Sequence, residues 1–144
     1  MDNLIVKKLT KFDVQKVYEM EEKYIGKCDM SSIEKTIESD TLSYYLLFKE
    51  SDLIGFFECS IISPEAELFD IVIDEKYRGF GYSKILMNFF LEIAKKNKIE
   101  TIYLEVNSIN YKAISLYKKY GFIEYSIRKK YYGDNDAILM KKEI

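Results

Sequence analysis

The chain has 144 residues, 48% hydrophobic with a single proline, which is the size and composition of one compact domain spanning 1–144 without room for a second core. Lys and Arg (22) nearly cancel Asp and Glu (24), and the net charge of -2 excludes a protein held to nucleic acid or anionic lipid by a basic footprint. Histidine is absent, so a His general base, a Ser-His or Cys-His nucleophilic pair and nearly every catalytic zinc site are excluded, and proton transfer falls to Asp, Glu, Tyr, Lys or Cys.

In chain order, Leu4 to Leu9 predicts a short strand, and Asp13 to Tyr24 places Val14, Val17, Tyr18, Met20, Glu21 and Tyr24 at mostly helical spacing. Ser31 with Glu34 has capping-box spacing and predicts a second helix over Ser32 to Ser39. Two apolar, aromatic and β-branched runs, Leu42 to Phe48 and Leu53 to Ile62, flank Lys49-Glu50-Ser51-Asp52 as a hairpin, and a third strand follows from Ala66 to Ile73. Ile85, Leu86, Phe89, Phe90, Ile93 and Ala94 then form one stripe of an amphipathic helix, closed by Lys95, Lys96 and Lys98. Thr101 to Val106 alternates as a strand; Asn110 to Tyr120 is a helix stopped by Gly121; Phe122 to Tyr132 and Ala137 to Lys142 read as a closing hairpin. A strand, a helix and another strand in mid-chain require a parallel pair there. The expected class is therefore α/β (α+β), with a mixed sheet of about seven strands flanked by about four helices.

The N-terminal run Met1 to Lys8 lacks a signal peptide's apolar core, and charges interrupt every apolar stretch, so a soluble cytoplasmic protein without a membrane partner is expected. Cys28 and Cys59 have no paired-ligand spacing and read as reduced thiols; with no histidine, no metal is expected.

The most informative segment is Asp74 to Lys84, between a strand and the best helix. Gly79 and Gly81, one residue apart, can turn successive amides into one concavity at a helix N-terminus, with Arg78 and Lys84 adding positive charge: an anion site. A plain strand-to-helix turn is the alternative. The segment lacks the Gly-Lys-Ser/Thr of a P-loop and the third glycine of a dinucleotide fold. An apolar strand before it and a carboxylate-bearing strand after it complete a pattern that resembles the GNAT superfamily of acyl-CoA-dependent N-acetyltransferases. Arg78, Gly79, Phe80, Gly81, Tyr82 and Ser83 match its phosphate motif, with Ser83 replacing the final small residue.

The stretches Ala66 to Asp74, Leu104-Glu105-Val106, Asn110, Ala113-Ile114, Leu116-Tyr117, Tyr120-Gly121-Phe122, Ile127 to Tyr132 and Asp136 to Met140 look like the bacterial ribosomal-protein-alanine N-acetyltransferase family. The resemblance implies acetyl-CoA as co-substrate and, as acceptor, the N-terminal alanine of a small-subunit ribosomal protein, without direct contact to nucleic acid. A monomer or weak dimer is expected. It further implies Glu105 as proton acceptor, Tyr117 as proton donor, Ile71, Val72 and Ile73 along the pantetheine arm, Arg78 to Lys84 at the pyrophosphate, and Asn110 beside the cofactor.

These assignments are chemically reasonable. An amine attacks a thioester only as the free base; for an α-amine of pKa near 8 deprotonation at pH 7 costs about 1 kcal/mol, against about 4–5 kcal/mol for lysine, so a modest base suffices. Glu105 on the polar face of a strand suits that role, though such a face also carries solvated carboxylates. Tyr117 competes locally with Tyr103, Tyr111 and Tyr120, and a packing role beneath Gly121-Phe122 is the alternative. A backbone N–H of Ile71 or Val72, left unpaired by a bulge, would serve the oxyanion. Two departures bear on the acceptor. Gly26 to Ser31 stands where the family commonly has an aromatic Pro-Trp-Ser segment, and Asp70 replaces an asparagine, a negative charge that favours a cationic amine. A lysine side chain or a small polyamine is thus the alternative acceptor, and a non-catalytic acyl-CoA sensor the alternative from another class.

Overall fold

Period-two apolar runs fold as strands and the three-to-four-residue stripes as helices. The computed structural model describes residues 3–26 and 28–144: β1 (Leu4–Lys8), α1 (Val14–Tyr24), α2 (Met30–Lys35), β2 (Leu42–Lys49), β3 (Asp52–Ile62), β4 (Glu65–Ile73), α3 (Tyr82–Lys96), β5 (Thr101–Asn107), α4 (Tyr111–Lys119), β6 (Ile123–Tyr132) and β7 (Asn135–Glu143). The expected mixed seven-stranded sheet is present, in the order β1-β2-β3-β4-β5-β7-β6, and every pairing is antiparallel except β4 with β5. Met1, Asp2 and Lys27, which fall in the N-terminal run and the Gly26 to Ser31 stretch discussed above, lie outside the described residues.

The second helix starts earlier than the Ser31 spacing predicts. Asp29 is its N-cap, with its carboxylate accepting from the Ser32 amide at 2.8 Å and the Ser32 hydroxyl at 3.0 Å. A carboxylate satisfies two donors and meets the positive end of the helix dipole, so it outcompetes the hydroxyl two residues on.

Each face of the sheet is covered by one layer. Leu86, Met87, Phe90 and Ala94 of α3 and Tyr117 of α4 pack on one face against Phe57, Cys59, Ala66, Leu68 and Ile102. Val14, Val17 and Met20 of α1 and Ile33 of α2 cover Leu46, Phe48, Leu53, Phe56 and Val72 on the other. The central strand β3 is therefore buried on both sides: Phe56 and Phe57 are both fully buried, one in each layer. Edge strand β6 is exposed along its whole length. The apolar cluster that α1 and α2 form on that face takes its strand residues from β2, β3 and β4.

Candidate active site

Two irregularities of β4 create the site. The strand pairs with β5 only through Glu65, Ala66 and Glu67, opposite Thr101, Ile102 and Tyr103; beyond them the two strands separate. Backbone groups of residues 70–73 that point away from β3 thus have no strand partner, and an extended amide-bearing ligand could add there as a further strand would. Between Leu68 and Asp70 the register against β3 slips, with Cys59 opposite Leu68 and Glu58 opposite Asp70, so Phe69 is a bulge. A one-residue insertion exchanges the two faces. Accordingly Ala66 and Leu68 face the α3 layer, whereas after the bulge Val72 faces the α1 layer and Ile71 and Ile73 pack toward α3.

The parted strands open a cleft of about 540 Å³ lined by Tyr24, Ile25, Asp70 to Ile73, Tyr77, Arg78, Gly79, Gly81, Tyr82, Ser83, Asn110, Lys112, Ala113, Leu116 and Tyr117. Its floor is the glycine turn. Gly79 and Gly81 adopt φ of 86° and 82°, the left-handed region that a side chain disfavours, and Gly81 is the N-cap of the 15-residue α3. The N-terminal end of the helix dipole lies at the cleft, a place suited to an anion, and Arg78 adds positive charge there. Arg78 is held in place: its Nε donates to the Ile73 carbonyl at 2.9 Å, and its guanidinium lies 4.7 Å from the Tyr24 ring centroid.

Tyr24 links this turn to α1. Its hydroxyl donates to the Asp74 carboxylate at 2.7 Å and accepts from the Glu75 amide at 2.8 Å. Tyr24→Phe keeps the ring under Arg78 and removes both hydrogen bonds, so CoA binding should weaken about three- to tenfold in isothermal titration. An unchanged dissociation constant would discard the link.

Tyr117 is fixed from the other wall. Asn110 caps α4, its side chain accepting from the Ala113 amide at 3.3 Å. At the C-terminal end Gly121, at φ 90°, closes a paired turn in which the Phe122 amide bonds the Tyr117 carbonyl at 3.0 Å and the Gly121 amide bonds Lys118 at 3.0 Å. The Phe122 ring packs edge-on to Tyr117 at 5.9 Å. Tyr117 is the only one of the four competing tyrosines to line the cleft: Tyr111 is exposed, and Tyr103 packs on Tyr125. Burial, reinforced by the charge of Asp70, raises its phenol above the ordinary tyrosine range, so it remains a donor at every working pH.

Most of the sequence-predicted residues meet here: Ile71, Val72, Ile73, Arg78, Gly79, Gly81, Tyr82, Ser83, Asn110 and Tyr117 all line the cleft. Phe80 and Lys84 do not. Both are exposed on the outer side of the turn, Phe80 against Tyr82 at 6.1 Å. Glu105 also stands outside the lining. It projects from β5 on the face opposite the α3 layer, and the Arg128 guanidinium of β6 binds it at 3.2 Å. Asp70, the one carboxylate in the cleft, shares that face with Glu58 opposite it and with Glu21 of α1, whose carboxylate accepts from the Tyr44 hydroxyl at 2.5 Å. Partial desolvation in the cleft, where its side chain stays open to solvent, and Glu21 nearby push Asp70 up to about 6; burial, with Glu21 nearby, pushes Glu58 to about 7. Tyr24 and Lys112 were not legible as site residues; the aromatic at the end of α1 read as part of a packing stripe. Among the described residues no group of three or more His, Cys, Asp or Glu is placed to hold a metal ion.

The acetyltransferase (GNAT) family model matches residues 9–122. The [ribosomal protein bS18]-alanine N-acetyltransferase of Haemophilus influenzae is 30% identical over 142 residues, 94% of this chain and 96% of that protein. The crystal structure of the ribosomal-protein-S18-alanine N-acetyltransferase from Escherichia coli is similar with TM-score 0.88 and 25% identity, over 98% of this chain and 94% of that one. Spermidine N-acetyltransferase from Vibrio cholerae, solved in complex with CoA and spermine, shares the fold at TM-score 0.84 and 21% identity, over 97% of this chain and 95% of that one.

Proposed function

Since the chain belongs to the acetyltransferase (GNAT) family and is an N-acetyltransferase, we propose that it moves acetyl from acetyl-CoA to the N-terminal alanine amine of a small-subunit ribosomal protein. The observation that carries this reading is near full-length similarity to a relative named for that reaction, on a chain whose own cleft has the parts the chemistry needs.

The glycine turn, the α3 N-terminus and Arg78 hold the pyrophosphate, while the open edge of β4 at residues 71–73 binds the pantetheine amides. A backbone N–H of Ile71 or Val72, just past the bulge, stabilises the oxyanion. The amine nitrogen attacks the carbonyl carbon directly in a ternary complex; its proton passes to Glu105, directly or through water, the C–S bond breaks, and the leaving sulfur takes a hydrogen bond and finally a proton from Tyr117. For Glu105 to receive that proton Arg128, which reaches it across β7, has to yield at least part of its hold, so the acceptor chain lies over the sheet face from which these two side chains project.

Asp70 favours a second reading, a polyamine or lysine acceptor, because a carboxylate in the cleft attracts any ammonium. CoA release is measured with three acceptors: a peptide with a free N-terminal alanine, the same peptide N-blocked but bearing lysine, and spermidine. Turnover on the first alone supports the protein-alanine reading; turnover on spermidine or lysine alone replaces it; tight CoA binding without turnover leaves an acyl-CoA sensor.

A further inference from the structure

Asp70 differs from every other carboxylate on the acceptor face of the sheet. Among the described residues it is the one acidic residue lining the cleft, directly before the Ile71 and Val72 backbone and in the same cleft as Tyr117. The Phe69 bulge puts it on the face from which Glu105 also projects, the side open to an incoming acceptor. Glu105 already has a cation, Arg128 at 3.2 Å, whereas Asp70 makes no hydrogen bond or ion pair with any described residue. Among the described residues the groups facing it are Glu58 on β3, Glu21 on α1, Tyr117 on α4 and Tyr132 on β6: two acids and two phenols, with no cation.

We infer that Asp70 is the docking point for the acceptor's ammonium group, holding the nitrogen against the thioester carbon and selecting amines that arrive charged. The inference rests on the acetyl-transfer reading and names the residue that recognises its second substrate. The Asp70 side chain is open to solvent at the cleft, where an arriving ammonium can reach it, and partial desolvation together with Glu21 raises its pKa to about 6. A bound ammonium supplies the missing counter-charge and donates hydrogen bonds to the carboxylate. Docking is non-covalent. The ammonium loses its proton before the C–N bond forms, and the carboxylate stays ionised throughout.

The sign of the pH dependence follows. Docking needs ionised Asp70, so affinity for a charged amine is complete above the raised pKa and is lost as pH falls through about 6. An uncharged nucleophile gains nothing from the carboxylate at any pH.

Asp70→Asn and the unsubstituted enzyme are compared with two nucleophiles, an alanine-starting peptide, cationic at neutral pH, and methoxyamine, uncharged there. The expected result is a rise in KM for the peptide of about tenfold or more in the variant, with KM for acetyl-CoA and turnover on methoxyamine held within about twofold. Retained methoxyamine turnover certifies the fold of the variant. In the unsubstituted enzyme alone, peptide KM should climb below pH 6 while methoxyamine rates stay level. Equal losses on both nucleophiles, an unchanged peptide KM, or an acid limb that survives in Asp70→Asn and so belongs to Glu58 would each overturn the inference. Absence of turnover by the unsubstituted enzyme on both nucleophiles would overturn the acetyl-transfer reading and this inference with it.

Discussion

Tyr117→Phe should lower kcat by about 10²- to 10³-fold while leaving CoA affinity within about twofold. The phenyl ring is the part that packs, edge-on to Phe122 and within the α3-side core, so its loss is not at stake. Only the hydroxyl in the cleft disappears. Burial and the Asp70 charge raise the phenol's pKa, which makes it a weaker acid than a thiol of pKa near 8.5. Complete proton transfer to the departing sulfur is therefore uphill in the early transition state, and the contribution is a hydrogen bond that strengthens as negative charge gathers on sulfur. Because the group stays protonated, the loss should be the same at pH 6 and pH 8. Single-turnover rates, with CoA affinity from titration, measure it; a variant that keeps a third or more of the rate would reduce Tyr117 to a packing residue.

The second large effect is on the fold. Gly55→Ala should cost about 2–3 kcal/mol and lower Tm by roughly 5–10 °C. Gly55 lies on β3 opposite Ile73, and a Cβ there would collide with the Val72 carbonyl and reach the Ile73 side chain at 2.8 Å. The carbonyl is backbone in the middle of a seven-stranded sheet and has no room to withdraw. Relief has to come from moving β4, and the part that moves is the stretch lining the cleft, so CoA binding should weaken along with stability. Thermal denaturation and titration on the same preparation test both. A Tm within a degree of the unsubstituted protein would mean that β3 and β4 can separate without cost.

Element types and order were readable because each depends on short-range periodicity. The stripe Leu86, Phe90, Ala94 could only be a helix buried on one side, and the alternation Ile102, Leu104, Val106 only a strand. Gly121 after Tyr120 announced the left-handed helix end. The strand-to-helix turn was equally local: two glycines one residue apart before an amphipathic helix both adopt positive φ, as the anion-site reading and a plain tight turn alike require. Even a close approach had a trace in the sequence, since a lone glycine inside the apolar run of β3 signals one.

What the sequence by itself determined, then, was the set of elements, the parallel crossover and the glycine turn before α3, all properties of residues within a few positions of one another. The tertiary structure alone decided which side chains share the cleft. Nothing local says that β4 and β5 separate after three paired residues, that the Phe69 bulge moves Asp70 to the face from which Glu105 projects, or that Tyr24, some fifty residues before the turn, bonds Asp74 and Glu75. Nor does spacing reveal that Arg128 on β6 occupies Glu105 while Asp70 has no counter-ion among the described residues. Charge pairing depends on distance in space, and the strand register that brings β5, β7 and β6 together is set by packing over the whole sheet.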